Sequence, residues 1–351
     1  MANLVKEKQQ RMVYIDYLRV FAALSVVTLH IAAKYLFDSD VNGQEWSVLN
    51  FFDSIVRWGV PVFVMISGSL FIKRDIPIKI LYKKYVLRMA VAFLVWSAIY
   101  TIVGSFYGDT APVMLRGYYH MWFILMLIGV YICIPIINPI VMSKVTTKYF
   151  LVLSLIFAIV LPSVFVLVND FGSGVTLEII NELKDDINTV KPHMVIGYMG
   201  YFVLGYYINS IELNKRQRYI IYLLGVFGFV LTVTLEQISA VKNQACNGYY
   251  IGNFSVTIFL ESVAVFTWFK YRKYNKCKLN GFVQKLSKYS FGAYLVHALI
   301  IDLIYREWNI DSRIFDETAL GVISASILVF VVSFVVSALL NKIPILNKFM
   351  V

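Results

Sequence analysis

The chain has 351 residues, 59% of them hydrophobic and 15% charged, with a mean hydropathy of +0.71. This balance excludes an ordinary soluble globular protein and points to a chain that crosses a bilayer many times. The formal net charge of +11 arises from an uneven placement of Lys and Arg between loops, so the basic balance does not call for a nucleic-acid partner.

A hydrocarbon core of roughly 30 Å needs about 20 helical residues per crossing. Apolar runs of suitable length recur near 13–35, 51–72, 86–107, 118–142, 149–168, 193–209, 218–235, 251–269, 288–305 and 318–340. The first follows a polar start, carries charge in its interior and has no small-residue cleavage site, so it is expected to stay as a helix rather than leave as a signal peptide. The sequence thus predicts an all-α, polytopic bundle of about ten transmembrane helices forming a single domain over residues 1–351. Residues 1–12 precede the bundle, 13–340 build it and 341–351 form a tail.

Of the 32 Lys and Arg, 22 fall in segments that face the cytoplasm if the N-terminus is inside, 7 fall on the opposite side, and Arg19, Arg57 and Arg88 lie within runs. Positively charged loops are retained in the cytoplasm, which predicts both termini there. The three cysteines fall in different compartments, Cys133 within a helix, Cys246 outside and Cys277 inside, so no disulfide is expected. No loop is long enough to fold as a separate domain.

Function is then sought among intramembrane polar groups, which are expensive and face a bundle interior or a wet cavity. In the first helix, "YIDYLRVFAALSVVTLHIAA" (14–33), Arg19 and His30 are eleven residues apart. That is about three turns, or roughly 16 Å, on nearly one face. Asp16 stands one turn before Arg19 and can pair with it. In the second run Arg57 lies near Pro61, which can open the helix, and near Ser67-Gly68, which permits close backbone approach. His120 opens the fourth helix, His193 the sixth, and His297 sits near the middle of the ninth. Glu261 is placed at mid-membrane without a sequence neighbour to neutralise it, so it needs a partner from another helix or a proton. No phosphate-binding loop, HExxH or CxxC pattern occurs, and no metal is expected.

An inner-half Arg and an outer-half His at this spacing resemble the R-x10-H pattern of the acyltransferase-3 family of integral membrane acyltransferases. Further stretches match in order: "GVPVFVMISGSLF" (59–71), "HMWFILMLIGVYICIPII" (120–137), "YFVLGYYI" (201–208) and "YSFGAYLVHALI" (289–300). The resemblance covers essentially the whole chain and is nearest to surface-polysaccharide O-acyltransferases without a fused esterase-like domain. It departs at "KKYVLR" (83–88), where Tyr85 stands at the first Arg of the family's R-x-x-R.

The resemblance implies a bacterial, multi-pass cell-membrane enzyme. Its donor is expected to be acetyl-CoA or another acyl-CoA, and its acceptor a hydroxyl of a carbohydrate carried on a lipid or at the cell surface. His30 is the expected general base, since a neutral imidazole accepts a proton near neutral pH and can return it to the leaving thiolate. Arg19 and Asp16, together with His120 and His297, complete the expected catalytic set. Lys83, Lys84 and Arg88, with Arg19, are expected to receive the phosphates of CoA, and Arg57, Trp122 and Glu261 to face the acceptor. A transporter using the same buried Arg, His and Glu as a relay is the rival reading; no internal repeat with matched broken helices is visible to support it.

Overall fold

The computed structural model of the protein describes residues 12–109, 116–172, 192–274 and 278–349. Among the described residues every regular element is helical. In chain order they are α1 (Val13–Leu36), α2 (Gln44–Phe71), α3 (Ile78–Phe106), α4 (Trp122–Ile132), α5 (Ile134–Met142) and α6 (Lys144–Phe171). There follow α7 (Pro192–Ser210), α8 (Lys215–Asn243), α9 (Val256–Tyr271), α10 (Lys278–Trp308), α11 (Thr318–Leu340) and the short α12 (Pro344–Phe349). By length and composition α1, α2, α3, α6, α8 and α11 are able to cross a membrane; α4 and α5, bent by 55° at their junction, make a seventh candidate when taken together. This is a multi-pass membrane protein, and large apolar side chains such as Phe106, Leu223, Val226 and Ile136 stand exposed on its outer helices, where lipid tails are their natural solvent.

Proline explains where the helices break. In α2 the regular segments are Gln44–Val56 and Gly59–Phe71, parted at Arg57 and Trp58. Pro61 has no N–H for the Arg57 carbonyl four residues earlier, so the ladder opens there. Pro135 and Pro139 attend the α4–α5 bend. In α6 a wide π-turn over Leu155–Val160 directly precedes Pro162, whose missing N–H leaves the Ala158 carbonyl without its regular partner. A second π-turn, Leu81–Val86, carries Lys83 and Lys84 into α3.

Several boundaries differ from the hydropathy reading. The second helix begins at Gln44 rather than 51 and the ninth segment at Lys278 rather than 288, because hydropathy marks the apolar stretch of a helix and not its polar first turns. Conversely, residues 251–255 lie outside α9: Ser255 caps it, accepting from the Thr257 N–H at 3.3 Å.

α1 lies at the centre, packed against α2, α9, α10 and α11, and its side chains Leu18, Ala22, Ile31, Ala32 and Leu36 are almost fully buried. The closest crossing joins α2 and α7. A Cβ at Gly68 would fall 1.7 Å from the Phe202 carbonyl oxygen, and one at Gly205 would fall 2.0 Å from that of Met65. Only glycine allows the two backbones to meet so closely, and the Ser69 hydroxyl seals the contact by donating to the Gly205 carbonyl at 2.9 Å.

Candidate functional site

Three imidazoles from distant parts of the chain meet in this bundle. His30 comes from the C-terminal half of α1, His120 from the turn before α4, and His297 from the middle of α10. The His30 and His297 rings stack, with centroids 5.2 Å apart and planes 29° from parallel. His120 stands edge-on to His297 at 4.9 Å and lies 6.5 Å from His30. His120 and His297 are buried, at 2% and 0% exposure. The rings meet by face and edge, and no set of three His, Cys, Asp or Glu side chains among the described residues has an arrangement that could hold a metal ion.

Neighbouring groups fix this cluster. The His297 Nδ1 lies 2.5 Å from the Tyr294 carbonyl. A carbonyl only accepts, so Nδ1 carries the hydrogen and Nε2 is left as a lone pair, which has no hydrogen-bond partner. One turn of α10 is held from α3: the Tyr100 hydroxyl donates to the Leu295 carbonyl at 2.9 Å and accepts from the Leu299 N–H at 3.0 Å. The Tyr294 hydroxyl donates to the His120 carbonyl at 2.7 Å, and the Tyr118 hydroxyl donates to Asp302, so the turn carrying His120 is tied to α10 at two points. The His120 ring nitrogens make no hydrogen bond of normal geometry, although the Leu295 backbone lies beside the ring.

His30 and His120 line a cavity of about 140 Å3 together with Arg57, Trp122, Asn253 and Tyr294. Arg57 is held by Asp53, one turn earlier and 0% exposed. Its Nη2 donates to Asp53 Oδ1 at 2.8 Å and its Nε to Oδ2, a two-pronged pair that leaves the Nη1 corner uncommitted. Asn253 arrives on the loop before α9. Its Nδ2 donates to the Tyr198 hydroxyl at 2.9 Å, and its carbonyl accepts from the Tyr201 hydroxyl at 2.7 Å. The same loop is anchored by the buried Glu236, which accepts from the Gly248 and Tyr250 N–H groups at 2.9 and 3.0 Å.

A second cavity, of about 340 Å3, lies on the other side of Phe63, Phe123 and Tyr294, the residues common to both linings. Its polar wall contains Arg19, Arg88, Lys288, Ser287, Tyr85 and Tyr131. The Arg19 Nη1 donates to the Ser287 hydroxyl at 3.2 Å. Asp16 is buried close by on α1, at 5% exposure.

The structure therefore gathers His30, His120, Arg57 and Trp122 around one cavity, with His297 packed behind His30 and His120, and Arg19 and Arg88 around its neighbour. Lys83, Lys84 and Glu261, also expected at the site, lie outside these two linings. Lys83 and Lys84 are exposed on the π-turn and line neither cavity. Glu261 faces a different groove, beside Phe21, Trp58, Tyr222 and Trp268, because α9 presents that side to α8. There it accepts from the Thr232 hydroxyl at 2.9 Å, the partner from another helix that its position required. Cys133 and Cys246 are unpaired, while Cys277 and the His193 side chain lie outside the described residues. Asn253, Lys288, Tyr294 and Asp53 were not singled out in the sequence; only Asp53 had a readable signal, its i,i+4 spacing to Arg57.

Comparison with known families places the chain. The model of the acyltransferase-3 family, an acyltransferase domain, matches residues 12–342. The chain belongs to that family. Among curated proteins it is similar to the probable poly-beta-1,6-N-acetyl-D-glucosamine export proteins of Staphylococcus aureus strains MRSA252 and MSSA476. Each is 22% identical over 332 residues, covering 89% of this chain and 87% of the relative. No solved structure matches it significantly. Membership in the acyltransferase-3 family supports acyl transfer as the reaction class of the chain.

Proposed function

We propose that this acyltransferase-3 protein transfers an acyl group, acetyl in the first instance, from acyl-CoA on the cytoplasmic side to a hydroxyl of a cell-surface carbohydrate. In this reading the chain crosses the cell membrane ten times with both termini in the cytoplasm, as its loop charges favour. The observation that carries the proposal is the pair of cavities on opposite sides of one aromatic wall, basic below and histidine-bearing above.

The phosphates of CoA rest near Arg19, Arg88 and Lys288, with charge-assisted contacts that a guanidinium makes well. The thioester reaches the wall from below, and the acceptor hydroxyl enters from the side of Trp122 and Asn253. His30 takes the hydroxyl proton while the oxygen attacks the thioester carbonyl. Arg57, one of the residues lining the cavity, stabilises the negative charge that builds on the tetrahedral oxygen. Collapse breaks the C–S bond, the His30 imidazolium returns the proton to the thiolate, and an ester and free CoA leave.

The name of the staphylococcal relatives, export protein, favours one second reading, a conduit for glycan. The two readings separate on CoA. Calorimetric titration of acetyl-CoA into detergent-solubilised protein is expected to show binding that weakens as salt rises, since exposed phosphate contacts are screened over about 8 Å at physiological ionic strength. Ester groups on whole-cell glycans should fall in a deletion strain. Absence of CoA binding at low salt together with unchanged esters would favour the conduit.

A further inference from the structure

We infer that Phe63, Phe123 and Tyr294 form a closed aromatic gate between the two cavities, and that this gate limits the length of the acyl chain the protein transfers. The inference rests on the reading above, in which the donor enters the lower cavity.

These three residues are common to both linings, so any group that reaches His30 from the Arg19 side passes them. The rings are in contact. Phe63 and Phe123 have centroids 6.2 Å apart at 60°, and Phe123 and Tyr294 are 5.6 Å apart at 62°. Edge-to-face rings at these separations leave no open passage between them.

The gate has a fixed post and movable leaves. Tyr294 is tied through its hydroxyl to the His120 carbonyl, and its own carbonyl receives the His297 Nδ1 hydrogen; moving it would disturb the histidine cluster. Phe63 and Phe123 carry no hydrogen-bonding group on their side chains, and rotation about their side-chain bonds opens the wall without breaking a hydrogen bond. A thioester arm then slides through with its acyl end first. Beyond the wall that end meets a cavity of only about 140 Å3 with Val26, Leu29 and Val60 on its apolar side. A short acyl group fits there beside an acceptor hydroxyl, whereas a long one remains wedged between the rings and holds its carbonyl below His30. Chain-length discrimination of this kind is steric, so it acts on the ratio of kcat/KM between donors.

The test compares kcat/KM for acetyl-, butyryl- and octanoyl-CoA in purified, lipid-reconstituted protein, with Phe123→Ala and Phe63→Ala as separate variants. Phe123→Leu serves where truncation to alanine lowers the folded yield. The octanoyl-to-acetyl ratio is expected to rise at least tenfold in an alanine variant and by less in Phe123→Leu. Arg88→Ala, which weakens the donor headgroup, should lower all three donors in proportion and leave the ratio within threefold. Folded Phe63 and Phe123 variants whose ratios stay within threefold of the unaltered protein would overturn the gate while leaving acyl transfer intact. An unaltered protein that transfers no acyl group from any of the three donors would instead remove the reading on which the gate stands.

Discussion

The imidazoles of His30 and His297 stack with centroids 5.2 Å apart, although 266 residues separate them in the chain. One ring is on the central helix and lines the cavity; the other is sealed beneath it, with Nδ1 committed to the Tyr294 carbonyl. In the proposed reaction His297 acts through His30, against which it stacks. His297→Ala is expected to lower kcat with little change in KM for acetyl-CoA, and by less than loss of His30 itself. His297→Gln, which keeps a polar group, should recover part of the rate. Equal KM and kcat effects would assign His297 to donor binding instead.

Asp53 holds Arg57 by two prongs inside the bundle. Removing one member of a buried pair typically costs about 3–5 kcal/mol, because the other charge is left without compensation. The Arg57 side chain keeps 16% of its exposure, so the lower end of that range applies. Asp53→Ala should lower the melting temperature in detergent and reduce acyl transfer. Arg57→Lys should retain the fold better than Asp53→Ala yet lose most activity, since lysine cannot hold the two-pronged pair and also offer a free edge. Unchanged melting and turnover in both variants would remove Arg57 from the site.

Glu261 provides a negative expectation. It lies in the groove beside Trp58 and Trp268, apart from the histidine cavity, and Glu261→Gln preserves an oxygen for the Thr232 hydroxyl. Acyl transfer by this variant should stay within about twofold, a barrier change well under 1.36 kcal/mol. A tenfold loss would show that the groove takes part in the reaction.

The α2–α7 crossing should tolerate no side chain. Gly205→Ala places a methyl 2.0 Å from the Met65 carbonyl oxygen, and backbone on both sides leaves nothing flexible to yield. A lower folded yield and a broader size-exclusion profile are expected. A normally folded Gly205→Ala protein would show that the two helices can part without cost.

Orientation can be checked by labelling single cysteines after replacement of Cys133, Cys246 and Cys277. Asp75 and Asp316 are both exposed in loops. A cysteine at position 75 should react with a membrane-impermeant reagent only from the cytoplasm, and one at position 316 only from outside. The opposite pattern would place the Arg19 cavity away from cytoplasmic acyl-CoA.

The helical segments were legible because twenty-residue apolar runs have few other solutions in a bilayer. Their ends were not, since the polar turns of α10 before residue 288 and the loop at 251–255 differ in hydrogen bonding rather than in hydropathy. The shared face of Arg19 and His30 followed from helical spacing alone. That His120 and His297 join His30 did not, because it depends on how α10 and the turn before α4 pack around α1, which no single helix encodes. The π-turn that carries Lys83 and Lys84 had no signature in "KKYVLR", because a widened turn differs from a regular one in hydrogen bonding and not in hydropathy. The glycines of "ISG" and "LGYY" were visible as motifs, but their purpose, backbone contact between α2 and α7, appears only in three dimensions.

The central claim is that His30 is the base in acyl transfer from acyl-CoA to a carbohydrate hydroxyl. It is tested most directly by following labelled acetyl from acetyl-CoA into glycan in membranes carrying either the unaltered protein or His30→Ala at matched levels. A general base contributes about 10²–10⁴-fold, so transfer by the variant should drop by at least two orders of magnitude while its size-exclusion profile stays unchanged. Transfer by well-folded His30→Ala protein at the unaltered rate would contradict the assignment.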